Sequence, residues 1–589
     1  MIMNLLAIAI VLGVGYAWVT RGFFSALLNM ICVIAGGAIA FAAWESVALF
    51  LIDTAPSNFL RFIGDAAWGL GLAIPFALAV ALLRVATDSL IRANLAVDDA
   101  MNYVGGGVCG AVSGVITAGL IVTSIGFLRV PQSFLGYQPV AVVAQGNFET
   151  QQNLWVPVDR LTAQLYRHLS VNTLSSGTPM ARYVPDLVAA AGTQRMTAGK
   201  GKNRNTISPD AFEVTGWFTV GRDSGAPEAI FSDFIDARPQ TITDLAGNPV
   251  SNAYSAGFIV RFDAGAREDF GQIVASKGQF RLVVENDTDG STKTVFPIAV
   301  TTQASAGDDA YGRFRFTTAG DDIASVGGSA DATMAFEFPV ERGYSPLALY
   351  VRNVRHLVDA EPTSTFPDGA SRDLAIQTNT LVGGTRAENL NTAFATTAAS
   401  GTNGAPGMSV SVRIPRQYAL QDGQTRGMRT NDSKQVISGE EQFEPGFLGA
   451  RVDAVLRVDQ FFVTPDTNIA QVTVTGDPAQ IPSSLFGTAW TEIDPAESVR
   501  IVDSSGQIYP AIGYIYEDRS IVSMRYSPSR PLRTLQDAPQ LSRTRDDQQL
   551  ILLFRVSRDV DLQHFAIGDI VVTTYEPAIT VPAPRFRNR

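Results

Sequence analysis

Cysteine is almost absent: Cys32 and Cys109 are the only two in 589 residues, and both fall in apolar segments. The long remainder can therefore hold neither a disulfide framework nor a thiolate metal site. The two thiols are expected as small packing residues of helices, because a disulfide between them would lie at membrane depth. Histidine is scarce too. His168, His356 and His564 lie far apart, and none is paired at a spacing of two or four, so imidazole metal chemistry has little to draw on. Basic charge is in deficit: 45 Lys+Arg against 56 Asp+Glu give a net charge of -11. A nucleic-acid partner is not expected, since phosphate binding needs a basic face. Residues 1–130 contain five Arg, no Lys and six acidic residues, so most of the charge lies downstream.

That charge-poor segment is apolar. Its four stretches are Met3 to Thr20, Phe23 to Ala43 with an extension to Ile52, Ala66 to about Leu83, and Val104 to Leu128. The last has no charge from Gly105 to Leu128, enough to cross the roughly 30 Å of bilayer hydrocarbon as a helix. The first has no basic residue before it and Arg21 after it, which favours an uncleaved anchor with its N-terminus outside over a signal peptide. Arg21, Arg84 and Arg92 then mark inner loops. Residues 53–65 and everything from about 130 onward are expected outside. Glu45 and Arg84 are ionisable groups near membrane depth and invite a paired site. As helix-end residues they are expected instead to snorkel to the headgroups. Pro75 is expected to kink the third helix. Asp88, Arg92, Asp98 and Asp99 read as the solvated face of a short inner segment. Gly106, Gly110, Gly114 and Ala118 recur every four residues, a small-residue row that lets another helix approach closely.

The turn Arg21-Gly22-Phe23, the polar segment Asn102-Tyr103-Val104-Gly105-Gly106 and the following Gly110 and Gly114 resemble the CvpA (colicin V production protein) family over roughly residues 1–130. The family commonly carries an Asp-Arg pair where Asn102 and Tyr103 stand, an Arg where Ser113 stands, and an acidic residue near Asn4. The resemblance implies a multi-pass protein of the bacterial inner membrane and a link to toxin production or export. Under that link the glycine row would pack a homo-oligomer or a channel-like assembly.

Downstream, Leu154, Val158, Leu161, Leu165 and Leu169 predict one amphipathic helix over 147–170, on the membrane surface or against the next domain. Residues 170–209, rich in Ser, Gly, Thr and Asn with Arg195, Lys200, Lys202 and Arg204, read as a linker. From about 210 the period becomes two: GWFTV, GFIVRF, QFRLVVEN, TVFPIAV, GRFRFTT and TMAFEFPV predict an antiparallel sandwich. A second set, AVLRVDQFFVT, AQVTVTG, SVRIVD, QIYPAIGYIY and LILLFRVSR, predicts another. Val295-Phe296-Pro297-Ile298 corresponds to Ile508-Tyr509-Pro510-Ala511, and Phe338 to Arg342 corresponds to Phe554 to Arg558, at offsets of 213 and 216 residues. The two sets thus look like copies. The expected organisation is a four-helix transmembrane domain (1–130), an amphipathic helix and linker (131–209), a first β-sandwich (210–360), a linker with an edge strand from MSVSVRIPR (361–440), and a second β-sandwich (441–580).

No catalytic constellation emerges. The CvpA resemblance allows a chymotrypsin-like protease behind the helices, and Gly221-Arg222-Asp223-Ser224-Gly225 resembles its nucleophile loop. The base must precede the nucleophile, and only His168 does, on a helix, so Ser224 reads as a polar turn. Asn286-Asp287-Thr288-Asp289-Gly290 opens like a calcium loop but lacks the later Glu, and Gly307-Asp308-Asp309 is a further acidic turn. No glycine-rich phosphate loop follows a strand, and no cofactor is expected. The sequence therefore predicts a membrane anchor carrying exported modules that bind envelope proteins or cell-wall components.

Overall fold

The computed structural model describes residues 2–54, 61–91, 98–171, 178–196, 206–222, 242–250, 252–268, 271–304, 311–316, 322–328, 331–378, 380–382, 387, 389–398, 406–415, 420, 426–444, 458–475, 494, 496–542, 545 and 547–583. Ser224, Arg92, Lys200, Lys202, Arg204 and Gly307-Asp308-Asp309 lie outside them.

The apolar stretches form α1 (Ile2–Val19), α2 (Phe23–Thr54), the short α3 (Arg61–Asp65), α4 (Ala67–Leu90) and α5 (Asp99–Gly126). All but α3 are long and apolar enough to cross a membrane. Helix α5 packs along α1 and α2, and α2 along α4. Pro75 lies inside α4, which runs unbroken past it. Asp98 starts α5 by accepting a hydrogen bond from Ala100 N.

Aromatic rings and arginines mark both ends of the bundle. At one end the Arg21 and Arg84 guanidiniums each lie 4.9 Å from the Trp18 ring, and Arg84 donates to Ser25 Oγ at 2.9 Å. At the other end Trp44 meets Trp68 edge-on at 5.8 Å and Phe127 at 4.9 Å. From Ser25 to Trp44 along α2 is roughly 28 Å at 1.5 Å per residue, the thickness of a bilayer core. The described chain after Phe127 meets the bundle's loops and N-terminal residues at the Trp44 end. Arg129 pairs with Asp65 at 3.5 Å, the Ser208 hydroxyl donates to Asp53 at 3.1 Å, and Met3 N donates to Leu135 O at 3.0 Å. Met3, Asp53, Asp65 and the β region therefore share one side.

Residues 131–209 depart from expectation. A small hairpin of β1 (Val140–Val142) and β2 (Phe148–Thr150) comes first, and α6 (Val158–Val171) starts only after Pro157. Leu154 precedes α6 and packs among Met3, Ala7, Ala118 and Val122. Helix α6 crosses α5 and α2 rather than resting on the surface. Thr162 fits against Gly119, and the Tyr166 hydroxyl donates to Ile34 O at 3.1 Å beside Gly37. Ile34 lies about 15 Å along α2 from Trp44, below the aromatic level. In place of a featureless linker come α7 (Met180–Tyr183) and α8 (Leu187–Met196). Leu187, Ala189, Ala190 and Ala191 are buried, and Ala191 abuts Gly126. Small apolar residues make this helix core despite its weak periodicity.

The first sandwich contains β3 (Phe212–Val220), β4 (Ala253–Phe262), β5 (Val274–Ser276), β6 (Phe280–Asn286), β7 (Thr292–Val295), β8 (Ala299–Gln303), β9 (Tyr311–Arg315), β10 (Asp322–Ala324), β11 (Ala332–Glu341), β12 (Tyr344–Val351), β13 (Val354–Leu357) and β14 (Ser364–Phe366), followed by α9 (Gly369–Gln377). One sheet has the order β14-β3-β4-β11-β8-β9, the other β13-β12-β6-β7. Phe258, Phe262 and Phe336 from the first meet Phe280, Leu282 and Leu349 from the second. The second sandwich contains β15 (Thr396–Ala398), β16 (Gly407–Val410), β17 (Met428–Thr430), β18 (Val436–Phe443), β19 (Thr467–Thr475), β20 (Val499–Asp503), β21 (Ile508–Glu517), β22 (Val522–Tyr526), β23 (Gln549–Ser557), β24 (Asp561–Ile567) and β25 (Ile570–Thr580).

The two share a strand order. β3-β4-β11-β8-β9 matches β16-β19-β23-β21-β22, and β13-β12-β6-β7 matches β25-β24-β20 with the first residues of β21. Register agrees: Ala256 faces Phe338, and Ala470 faces Phe554. Ala299 faces Glu337, which sets Ile298 opposite Phe338, just as Ala511 faces Phe554. These are the positions paired in the sequence. Pro297 and Pro510 both sit where the chain passes from one sheet to the other.

The expected 361–440 linker is divided between the sandwiches. β14 adds to β3 in parallel, and Ile376, Leu381 and Val382 pack on Phe218 and Ala335. Arg372 of α9 joins Arg313 on the buried Glu337 carboxylate, at 3.1 and 2.7 Å. β16 is the expected edge strand, antiparallel to β19. β15 pairs in parallel with β25, and β17 and β18 extend the other edge. Short strands flanked by Thr, Ala and Gly carry too little periodicity to be seen beforehand. Gly327 N donates to Asp466 Oδ2 at 2.6 Å and Gly328 N to Ser557 Oγ at 3.1 Å, joining the two sandwiches.

Candidate functional site at the junction of bundle and sandwich

The glycine row faces α1. Beside Gly106 lies the Trp18 carbonyl, beside Gly110 the Gly15 backbone and Trp18 Cβ, and beside Gly114 the Val11 backbone. Ala118 is buried with Met3 and Ala7. The row is thus consumed within the chain, which removes it as a surface for a second copy or a pore lining. The two motif groups meet each other. Gly22 turns the chain at φ 86°, and Phe23 N, the first donor of α2, bonds to Asn102 Oδ1 at 3.3 Å. Asn102 thereby caps a helix other than its own. Arg21 lies over Trp18.

Glu45 and Arg84 do not pair with each other. Arg84 pairs with Asp88 at 2.7 Å. Glu45 is not at a helix end, as expected from the apolar run, because α2 continues to Thr54. Its carboxylate pairs with Arg355 of β13 at 2.8 Å. His168 lies in the last turn of α6, His356 on β13 and His564 on β24. Asn286 Oδ1 accepts from Thr288 N and Asp289 N, which spends it on closing the β6–β7 hairpin. Among the described residues no cluster of His, Cys, Asp and Glu could hold a metal ion.

The Glu45–Arg355 pair opens onto a cavity of about 240 Å³ between the bundle and the first sandwich. Its membrane wall is Ala38, Phe41, Trp44 and Trp68, with Tyr166 of α6. Its opposite wall is Arg281 of β6, Tyr350 of β12, and Asn353 and Arg355 from the β12–β13 hairpin. Arg281 and Tyr350 lie opposite each other across two strands, and their side chains stack with the guanidinium 4.1 Å from the ring. Arg281 also donates to Asn353 Oδ1. Burial pushes the Arg281 guanidinium down to about 10, against the pull of Tyr350 and Glu45. It remains charged at neutral pH. The Tyr350 hydroxyl donates to Tyr183 O at 2.8 Å, and burial raises its pKa to about 12. Asn353, at φ 72°, and Trp68 are 3% and 2% exposed, and each holds a donor, Nδ2 and Nε1, that meets no acceptor.

Of these residues sequence reasoning singled out Glu45 and passed over the rest. One signal was present: β6 and β12 are apolar on both faces, with Val283, Ala348 and Tyr350 buried outside the sandwich core against Tyr183. A sheet whose two faces are both apolar needs covers on both sides. No family model, curated protein or solved structure matches the chain.

Proposed function

We propose that this is a CvpA-like envelope membrane protein in which the four-helix anchor presents two extracytoplasmic β-sandwiches that bind protein or cell-wall partners, without a catalytic role. The observation that carries this reading is the continuous core from bundle to first sandwich. Trp44, Trp68 and Phe127 connect through Tyr166 and Leu187 to Trp217, Phe258 and Phe280. Such a joint suits a platform that holds a binding surface at fixed height above the bilayer. Arg21 and Arg84, at the end of the bundle opposite the β region, favour the outer side for that region. A role as accessory to toxin export through glycine-row oligomers is disfavoured, because α1 covers that row.

Protease treatment of intact spheroplasts tests the orientation: cleavage of the sandwiches without lysis is expected, and full protection would refute it. Pull-down of envelope fractions with the detergent-solubilised full chain tests binding. Recovery of no envelope component above a bundle-only background would remove the binding role.

A further inference from the structure

We propose that the cavity between the bundle and the first sandwich is a binding site for a phosphate-bearing anion, supplied by the headgroup of a membrane lipid. Its two walls differ as the two parts of an amphiphile differ. Phe41, Ala38 and Trp68 belong to helices whose apolar faces continue into the hydrocarbon, and Trp44 and Trp68 set its level at the membrane edge. Across from them stand Arg281 and Arg355 against the single carboxylate of Glu45, which leaves an excess of one positive charge.

The donors carry the argument further. A buried N–H without an acceptor costs about 1–3 kcal/mol and is rare in folded proteins. Here two of them, Trp68 Nε1 and Asn353 Nδ2, belong to residues on opposite walls of the same small cavity, buried just behind its surface, where a small side-chain rotation would turn them toward a bound anion. The residue between Asn353 and the strand, Arg352, has φ 45°, so two successive left-handed residues hold Asn353 at the tip. Phosphate oxygens accept from amide, indole and guanidinium donors together, and Arg281 supplies the charge-assisted bond. The volume, about 240 Å³, admits a phosphate with its glycerol linkage but not acyl chains, which would trail along α2 and α4. This assignment holds whichever compartment the sandwiches occupy, so it stands or falls apart from the platform role.

The test is native mass spectrometry of the full chain released from nanodiscs containing phosphatidylglycerol and phosphatidylcholine in equal amounts. Wild type is expected to retain phosphatidylglycerol preferentially. Trp68→Phe keeps the ring and removes the donor, and Asn353→Asp places a carboxylate against the anion. Each should lower retention about tenfold, the equivalent of one lost charge-assisted bond. Arg355→Gln, at the partly exposed rim, gives the same reading if Asn353→Asp fails to fold, and a thermal melt checks folding of each. Equal retention of both lipids, or unchanged retention in folded Trp68→Phe and Arg355→Gln variants, overturns the proposal. Displacement of phosphatidylglycerol by millimolar inorganic phosphate overturns the lipid as the source in favour of a soluble anion.

Discussion

Asn102 joins two helices with one side chain. It stands where the resembling family carries charge, yet its amide oxygen accepts from Phe23 N at the start of α2. The role is steric and dipolar, and a neutral acceptor performs it. Asn102→Ala should lower stability by about 1 kcal/mol, seen as an earlier thermal melt in detergent. Glu337 acts through charge. Burial alone would raise its pKa, but Arg313 and Arg372 outweigh burial and hold it down at about 2. A carboxylate depressed in the folded state stabilises the protein above its unfolded pKa and loses that contribution as pH falls. The first sandwich should therefore weaken between about pH 4.5 and pH 2. Glu337→Gln should flatten that slope in acid melts, at a cost of about 3–5 kcal/mol near neutrality, because two buried guanidiniums lose the carboxylate they share. Neither arrangement is legible in the sequence. Arg372 and Glu337 are 35 residues apart, and nothing local says that α9 folds back onto β11.

The elements were legible in proportion to their periodicity. Four uninterrupted apolar runs gave four spanning helices, and alternation at β4, β6, β11, β21 and β23 placed the central strands. α8 was missed because Ala189, Ala190 and Ala191 lack the contrast that marks an amphipathic face. β14, β15 and β17 are three residues each and occupy sheet edges, where burial demands little of the sequence. The glycine row was visible as a row, but not the helix it meets. With Val11 Cα at 2.8 Å from where a Gly114 side chain would begin, Gly114→Leu should separate α1 from α5. Gly13, with nothing within 4 Å, should accept the same change. Comparison of their melting temperatures checks this. If Gly114→Leu melts like wild type, the intramolecular packing of the row is wrong.

At the scale of the molecule, parity of crossings and docking agree. Met3, Asp53, Asp65 and both sandwiches lie at one end of the bundle, and Arg21 and Arg84 at the other. Single cysteines introduced at Asp53 and at Arg21, in a chain with Cys32 and Cys109 replaced by Ala, should react with an impermeant maleimide from opposite faces of oriented vesicles. Labelling of both from one face would break the arrangement. The Glu45–Arg355 bridge contributes to the joint between bundle and sandwich. Arg355→Glu should loosen it, read as faster tryptic release of the β region, and Glu45→Arg in the same chain should restore protection in part.

Asn4 sets an order of events in synthesis. Its amide donates to Asn153 O at 3.0 Å and its oxygen accepts from Trp155 N at 2.6 Å, while Met3 N reaches Leu135. α1 touches α2 only slightly and lies chiefly against α5. Helix α1 therefore has no settled neighbour until α5 has been made and the chain has emerged past Trp155. Until then the α5-facing side of α1, with Gly15 and Val11, stays uncovered.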